Sequence, residues 1–416
     1  MEKKYYYWLH NVPGIGNRTI KRLLEITTPR QLYEEGAKLL EQNCFDSNQE
    51  AEQENFFEKF FQHTEEMIEN PLKKYTILRP SQIQSLEESR KQWNVDKQWE
   101  TLEKLGINLS YWGSEDYPKP LLTIPDAPMI LYEKGKGDWK EKPAIAVVGT
   151  RNCSPYGNLA AKELGRELAE RGIVVVSGMA RGIDGICQYT ALKEQGCSVG
   201  VLGSGVEICY PPENKGLYDM LVKQGAVISE NPPFTQPKAG LFPLRNRIIS
   251  GLADVIVVVE SKEKSGTLIT VDMALEQGKD VYAMPGRMTD AWSRGCNKLI
   301  KQGAGIVLSP REFVEEIYPF LLEKYEKQMK KEKYSLGIEK RAENRNSFRV
   351  EKKQEFTEDE KIVLEILDLV PKPIEEIYYQ VKVKRESLTL QEVMEILLQL
   401  RIKKIVDEEG QYYFRV

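Results

Sequence analysis

Residues 242–286 read FPLRNRIISGLADVIVVVESKEKSGTLITVDMALEQGKDVYAMPG, and they decide the fold class. A basic turn, Arg245-Asn246-Arg247, opens a helical stretch. A wholly apolar run, 255–259, ends at Glu260, and Ser265-Gly266-Thr267 opens a second helix. An unbroken β-branched run is the pattern of a strand covered on both faces, because alternation is needed only where one face meets water. Small residues ahead of a helix leave backbone N–H groups free to hold an anion. A buried parallel sheet with such turns and with arginines at its rim is suited to handling phosphates.

On either side the pattern repeats. Runs 144–148, 173–176, 198–202, 226–229, 281–284 and 305–308 are strand-like, and helical patterns separate them. Parallel strands joined by helices imply right-handed crossovers, so the expected class is α/β with a Rossmann-like, doubly wound, mostly parallel sheet. No internal repeat stands out.

At 416 residues the chain exceeds one core, and two to four domains are expected. The composition, 41% hydrophobic and 29% charged, is that of a soluble globular protein. No apolar run approaches the ~20 residues of a membrane span. The opening MEKKYYYWLHNVPG has no signal-like apolar stretch, so the expected address is the cytoplasm. Six cysteines without a CxxC pair fit reduced, mostly buried thiols. Only His10 and His63 exist, both ahead of the α/β region, so that region has no histidine to act as base or metal ligand. With a net charge of −4, nucleic-acid binding requires a local basic surface.

The flanks differ in character. Residues 1–105 read as a polar helical domain, in which Val12-Pro13-Gly14-Ile15-Gly16 lies between two helical patterns. That turn has the helix-hairpin-helix (SAM-like) signature; it serves either a phosphate or simply the packing of two helices. Residues 106–320 form the α/β core with its N-terminal extension, within which 107–135, rich in proline, reads as an irregular connector. Residues 321–355, dense in Lys, Arg, Glu and Gln, read as a helix fraying into a charged linker with acidic and basic residues mixed. Residues 356–416 carry three short amphipathic helices and a hairpin around Glu409-Gly410, the layout of a winged helix.

Ligands in open parallel sheets bind outside the carboxyl ends of the strands. Those ends carry Gly149-Thr150-Arg151, Ser177-Gly178-Met179-Ala180-Arg181, Gly203-Ser204-Gly205, Ser229-Glu230-Asn231 and Ser265-Gly266-Thr267. Arg245 and Arg247 lie one helix ahead of a strand, and Asn297-Lys298 follow the turn at Met284-Pro285-Gly286. Glycines permit close backbone approach, and arginines supply bidentate phosphate contacts. Each residue also has a purely structural alternative. The glycines fit any strand-to-helix turn, Arg181 and Asp184 can pair locally, and Glu260 and Asp272 can cap helices. Together, Arg151, Arg181, Arg245, Arg247 and Lys298 on one edge would repel without an anion, which favours a polyanion. A dinucleotide is disfavoured, because Gly203-x-Gly205 lacks the third glycine of GxGxxG, Ile208 standing in its place. There is no GxxxxGK[ST] P-loop either. No cofactor and no metal are therefore expected.

Seven ordered stretches closely resemble the DNA-processing protein A family (DprA, also called Smf). They are VVGTRNCSPYG (147–157), SGMARGIDGICQYTAL (177–192), VLGSGVEICYPPEN (201–214), ISENPP (228–233), FPLRNRIISGLADVIVVVE (242–260), SGTLITVDMALEQGKDVYAMPG (265–286) and GCNKLIKQGA (295–304). The resemblance implies a Rossmann-like core that binds single-stranded DNA, protects incoming strands in natural transformation, recruits the recombinase RecA and acts as a homodimer through the core. It implies DNA-phosphate contacts at Arg151, Arg181, Arg245, Arg247 and Lys298. Around them it implies a groove walled by Gly149, Ser177, Gly178, Asn246, Ser265, Gly266, Thr267 and Asn297. It also implies a binding protein and no enzyme.

Two positions depart from the family pattern. Gln188 stands where members usually have histidine, so a pH-linked contact is not expected there, and Pro212 replaces an often basic residue. The rival reading is a nucleoside-monophosphate phosphoribohydrolase on the same core. Its PGGxGTxxE turn corresponds to 264–270, where the double glycine is missing and Thr270 occupies the position of the catalytic glutamate. Residues 248–252 and 274–275 offer a surplus apolar helix surface for the dimer. The helix in the recognition position, 389–400, brings Glu392 and Glu395 and no Lys or Arg before Arg401, which suits an accessory domain better than a duplex reader.

Overall fold

The computed structural model describes residues 2–37, 78–343, 357–367, 372–385, 387–402, 406–409 and 412–415. Expectations that fall on Cys44, residues 49–54, His63, residues 344–356 and Gly410 lie outside these residues. The chain divides into two compact units, Met1–Lys333 and Tyr334–Val416.

In the first unit the N-terminal helices are α1 (Lys3–His10), α2 (Asn17–Leu24), α3 (Pro29–Glu35), α4 (Pro80–Gln92) and α5 (Val95–Lys104). Local chemistry sets their ends: Thr28 and Gln31 form a capping box at the start of α3, with Pro29 in its first turn. Trp8, Leu9, Ile20, Leu23, Leu32 and Leu86 form their shared core.

The sheet has nine strands in the order β1 (Asn108–Tyr111), β2 (Ile130–Gly135), β6 (Ala226–Ser229), β5 (Ser198–Val201), β4 (Val174–Ser177), β3 (Ala144–Val148), β7 (Val255–Val258), β8 (Asp280–Ala283) and β9 (Gly305–Ile306). The β1–β2 and β2–β6 pairs are antiparallel, and all others are parallel. The helices between them are α6 (Pro155–Glu170), α7 (Ile183–Lys193), α8 (Lys215–Gln224), α9 (Leu241–Leu252), α10 (Thr267–Glu276), α11 (Arg294–Lys301) and α12 (Pro310–Glu343). Burial on both faces explains the unbroken apolar runs: Ala144, Ala146 and Val148 pack with α9, α10 and α11, while Ile145 and Val147 pack with α6, α7 and α12. The parallel strands are those expected, with ends displaced by one or two residues.

Two expectations need correction. The connector 107–135 is not irregular throughout, since its ends form β1 and β2 and extend the sheet by two antiparallel strands. The apolar surface assigned to a dimer is mostly internal: Ile248, Ile249, Leu252 and Ala274 are buried, and Leu121 and Ile124 of the connector cover the Gly251 side of α9. Helix α12 continues through the start of the charged segment, where Lys324 and Tyr325 reach the Asp254 carboxylate at 2.6 and 3.3 Å.

The second unit contains α13 (Glu358–Ile366), α14 (Ile374–Lys384) and α15 (Leu390–Ile402), with β10 (Lys372–Pro373), β12 (Tyr412–Arg415) and β11 (Val406–Glu409) in an antiparallel sheet. Three helices and a terminal hairpin make the winged-helix layout. Among the described residues no helix is long and apolar enough to cross a membrane, and no cluster of His, Cys, Asp or Glu could hold a metal.

Candidate nucleic-acid interface

Because β6, β5, β4, β3 and β7 are mutually parallel and adjacent, their carboxyl ends share one edge of the sheet. Two glycines bring the loops there together. Gly182 has φ +74, and a Cβ on it would lie 2.3 Å from the Thr150 carbonyl oxygen. Gly149 meets Ile183 so closely that a Cβ would sit 2.6 Å from it. The start of α7 is thus pressed against the loop that carries Arg151.

The loops enclose a cleft of about 650 Å³, lined among others by Gly149, Arg151, Asp184, Tyr210, Phe242, Arg245, Asn246 and Ser265-Gly266-Thr267. A smaller recess, lined by Gly178, Arg181, Gly203 and Ser204, shares Arg151, Tyr210, Phe242 and Arg245 with it. The Tyr210 and Phe242 rings stack at 5.3 Å, and the Arg151 guanidinium lies 5.9 Å from the Phe242 centroid. Tyr210 and Arg151 are exposed. Neither aromatic was singled out in the sequence. The available signal was two aromatics in glycine- and arginine-rich loops, which reads equally well as core.

The five cations separate into distinct environments. Arg151 pairs with no carboxylate among the described residues. Arg181 reaches Glu213 at 3.8 Å, and Lys298 reaches Glu263 at 3.6 Å. Arg247 is held by both oxygens of Glu230, at 2.8 and 2.5 Å, and its Nε donates to the Asp126 carbonyl. Arg245 lies beneath the cleft at 6% exposure. It donates to the carbonyls of Gly178 and Val201, while its Nε has no partner. Burial lowers its pKa to about 10, opposed by the Asp184 carboxylate, so it stays cationic at neutral pH. Burial likewise raises the pKa of Asp184, against the pull of Arg245. Five cations therefore do not crowd one edge unrelieved. Three carry their own glutamates, and the fourth is buried above Asp184, which corrects the repulsion expected from sequence.

The smaller residues also divide. Ser177 donates to the Val147 carbonyl at 2.6 Å and is fully buried, so it ties β4 to β3 and does not wall the groove. The Gly178 amide is taken by Asp184, and its missing side chain makes room for the Arg245 guanidinium. Gly266 is open to the cleft. Asn297 exchanges hydrogen bonds with Gly286 and, with Lys298, sits on α11 outside the cleft lining. Gln188 is fully buried, accepting from the Met179 amide and donating to Ser198 and the Val199 carbonyl, so it fastens β4 to β5. Glu260 does cap: it accepts from the amide and hydroxyl of Ser154 at the start of α6. Thr270, buried, stands on the cleft wall.

Residues 108–318 match the family model of DNA recombination-mediator protein A. The DNA processing protein DprA of Bacillus subtilis is 43% identical over 213 residues, 51% of this chain and 72% of that protein. That of Streptococcus pneumoniae is 42% identical over 200 residues, 48% of this chain and 71% of that protein. Protein Smf of Escherichia coli is 42% identical over 217 residues, 52% of this chain and 58% of that protein. The X-ray structure of the Streptococcus pneumoniae protein superposes with a TM-score of 0.58 at 31% identity, over 75% of this chain and 97% of that one. The match takes in both antiparallel strands, the whole parallel sheet and every loop of the cleft, and on that ground the chain belongs to the DNA recombination-mediator protein A family.

Proposed function

We propose that this protein binds single-stranded DNA without regard to sequence, in the cleft at the carboxyl edge of the sheet, as a step in DNA processing for recombination. The observation that carries the proposal is the combination of an exposed arginine on a stacked aromatic pair with a buried guanidinium whose Nε faces no protein partner. Cations follow a phosphate backbone, and an aromatic face accepts any base that is not already stacked in a duplex. Phosphate contacts fall to Arg151, Arg181 and Arg245, and the open loop at Ser265-Gly266-Thr267 supplies backbone approach. Arg247, Asn297 and Lys298 act from the periphery.

On the same reading the protein protects transforming DNA and passes it to RecA in the cytoplasm, a role that extends the DNA processing named for its relatives. A homodimer through the core is part of the same reading. It is supported by the short edge strand β9 and the residues just after it, Ile306 and Leu308 being 51% and 79% exposed. Catalysis is not part of it, because Thr270 offers no carboxylate to stabilise a ribosyl cation.

Fluorescence anisotropy with single- and double-stranded oligonucleotides at two salt concentrations tests the proposal. The single strand should bind more tightly, with log affinity falling by about 0.7 per log salt for each phosphate neutralised. Arg151→Ala should weaken every sequence alike and flatten the slope by about that amount, and Phe242→Ala should cost about 1–3 kcal/mol. Equal affinity for duplex, or unchanged binding in both variants, would overturn the assignment.

A further inference from the structure

The carboxyl edge of the sheet does not end at β6. Because β2 runs antiparallel to β6 and β1 antiparallel to β2, the start of β2 and the end of β1 return to this same edge. Asp126 lies just before β2. Trp112 follows β1, and its amide donates to the Met129 carbonyl. Helix α2 rests along this extension: Asn17 donates to Glu230 at 3.3 Å, Arg18 reaches Asp126 at 3.4 Å, and the Lys21 ammonium lies 5.8 Å from the Trp112 ring centroid. Arg247 is bonded to the same two positions, Glu230 and Asp126, so α2 begins one side chain away from the rim cations of the core.

Helix α2 has no acidic residue in its first turn, and Arg18, Lys21 and Arg22, at spacings of three and four, are all exposed. Lys21 and Arg22 pair with no carboxylate among the described residues, and the Arg18 side chain is 88% exposed despite its contact with Asp126. Trp112 is 38% exposed. A cation over an aromatic ring thus occurs twice along one edge, as Arg151 on the half-buried Phe242 and as Lys21 on the exposed Trp112. Five strand ends, from β7 to β6, span about 19 Å, and the two further strands add about 10 Å.

We infer that α2 and Trp112 form a second contact for the same single strand: the DNA leaves the cleft past Glu230 and Arg247, its phosphates meet Arg18, Lys21 and Arg22, and a base stacks on Trp112. This rests on the cleft reading above and extends it. Glu230 is no barrier to the path, since Arg247 and Asn17 already satisfy its carboxylate. The occupant is single-stranded, because a face-on stack on Trp112 needs an unpaired base.

The experiment compares a tetranucleotide, (dT)4, with (dT)20 by calorimetry. The proteins are the full wild-type chain, the Arg18→Ala/Lys21→Ala/Arg22→Ala variant, Trp112→Ala, and a charge-matched control, Lys91→Ala/Lys97→Ala/Lys104→Ala. The substituted side chains are at the surface, so folding is preserved, and circular dichroism verifies it. The triple variant should bind (dT)4 as wild type does, bind (dT)20 at least ten-fold more weakly, and lose about 2 from the salt slope. Trp112→Ala should weaken (dT)20 at least five-fold, and the control should leave both ligands unchanged. Unchanged (dT)20 affinity in the α2 and Trp112 variants would overturn the inference while the cleft stands. An equal loss for (dT)4 and (dT)20, or an equal loss in the control, would overturn it too, by showing that only net charge is felt. Wild-type protein that binds neither oligonucleotide would remove the cleft reading itself and the extension with it.

Discussion

Arg245 is a guanidinium held almost out of water, and what keeps it there is Asp184 below and two strand-end carbonyls beside it. Removing Arg245 leaves two buried carbonyls without their donor and Asp184 without its counter-charge, at a cost of about 1–3 kcal/mol. Arg245→Met should therefore lower stability by about that amount in urea denaturation, and Asp184→Asn/Arg245→Met should recover part of the loss. Additive losses would mean that the two do not interact. This makes Arg151, exposed and unpaired, the cleaner probe of DNA contact. His10 gives a second residue-scale prediction. Burial lowers its pKa from 6.5 to about 4, and its Nδ1 lies 2.9 Å from the Tyr132 hydroxyl. Between those values the unfolded chain binds the proton and the folded chain does not, so stability falls as pH drops from 6.5 toward 4, by at most about 3 kcal/mol. In His10→Gln the urea midpoint should flatten over that window. The arginines and glycines of the cleft were legible in the sequence because their chemistry is local to each loop. Tyr210 and Phe242 were not, because an aromatic beside apolar residues shows its exposure only when the neighbouring loops are in place. Ser177 was misplaced for the converse reason: a strand-end hydroxyl can point into the sheet or out of it, and only the parallel neighbour β3 decides.

Among the elements, the turn into α7 is tightly constrained. With φ +74, and with any Cβ lying 2.3 Å from the Thr150 oxygen, Gly182 admits no side chain. Gly182→Ala should cost at least about 2 kcal/mol and displace the Arg151 loop, weakening single-strand binding more than a stability loss alone accounts for. Calorimetric unfolding and anisotropy on the same sample separate the two effects. The parallel strands could be read directly, since burial on both faces writes itself as unbroken Val and Ile. The strands β1 and β2 could not, because they are strands by virtue of pairing with the exposed edge of β6, and the prolines between them mask any period. In the winged helix, Glu392 caps its own helix, accepting from Thr389 at 2.8 Å, which lowers its pKa and keeps it anionic, so both Glu392 and Glu395 on α15 oppose a phosphate. The exposed Leu390, Met394 and Leu398 on that helix also make it a poor duplex reader.

For the molecule as a whole, the first unit closes at Lys333, past the contacts of Lys324 and Tyr325 with Asp254. A truncation after 333, which keeps those contacts, should retain the single-strand affinity of the full chain within about two-fold; a larger loss would make the second unit part of the DNA site. A net charge of −4 gives no long-range attraction for a polyanion, and the rim does not behave as a bare positive field either. Glu213, Glu230 and Glu263 already occupy Arg181, Arg247 and Lys298. On the proposed reading, Glu213 and Glu263, held by exposed contacts at 3.8 and 3.6 Å, are lightly tethered competitors that a strand displaces at little cost, while Glu230 stays bound to Arg247 and Asn17. On that reading the same exchange lets a bound strand be released stepwise, Arg181 and Lys298 each returning to the glutamate beside it.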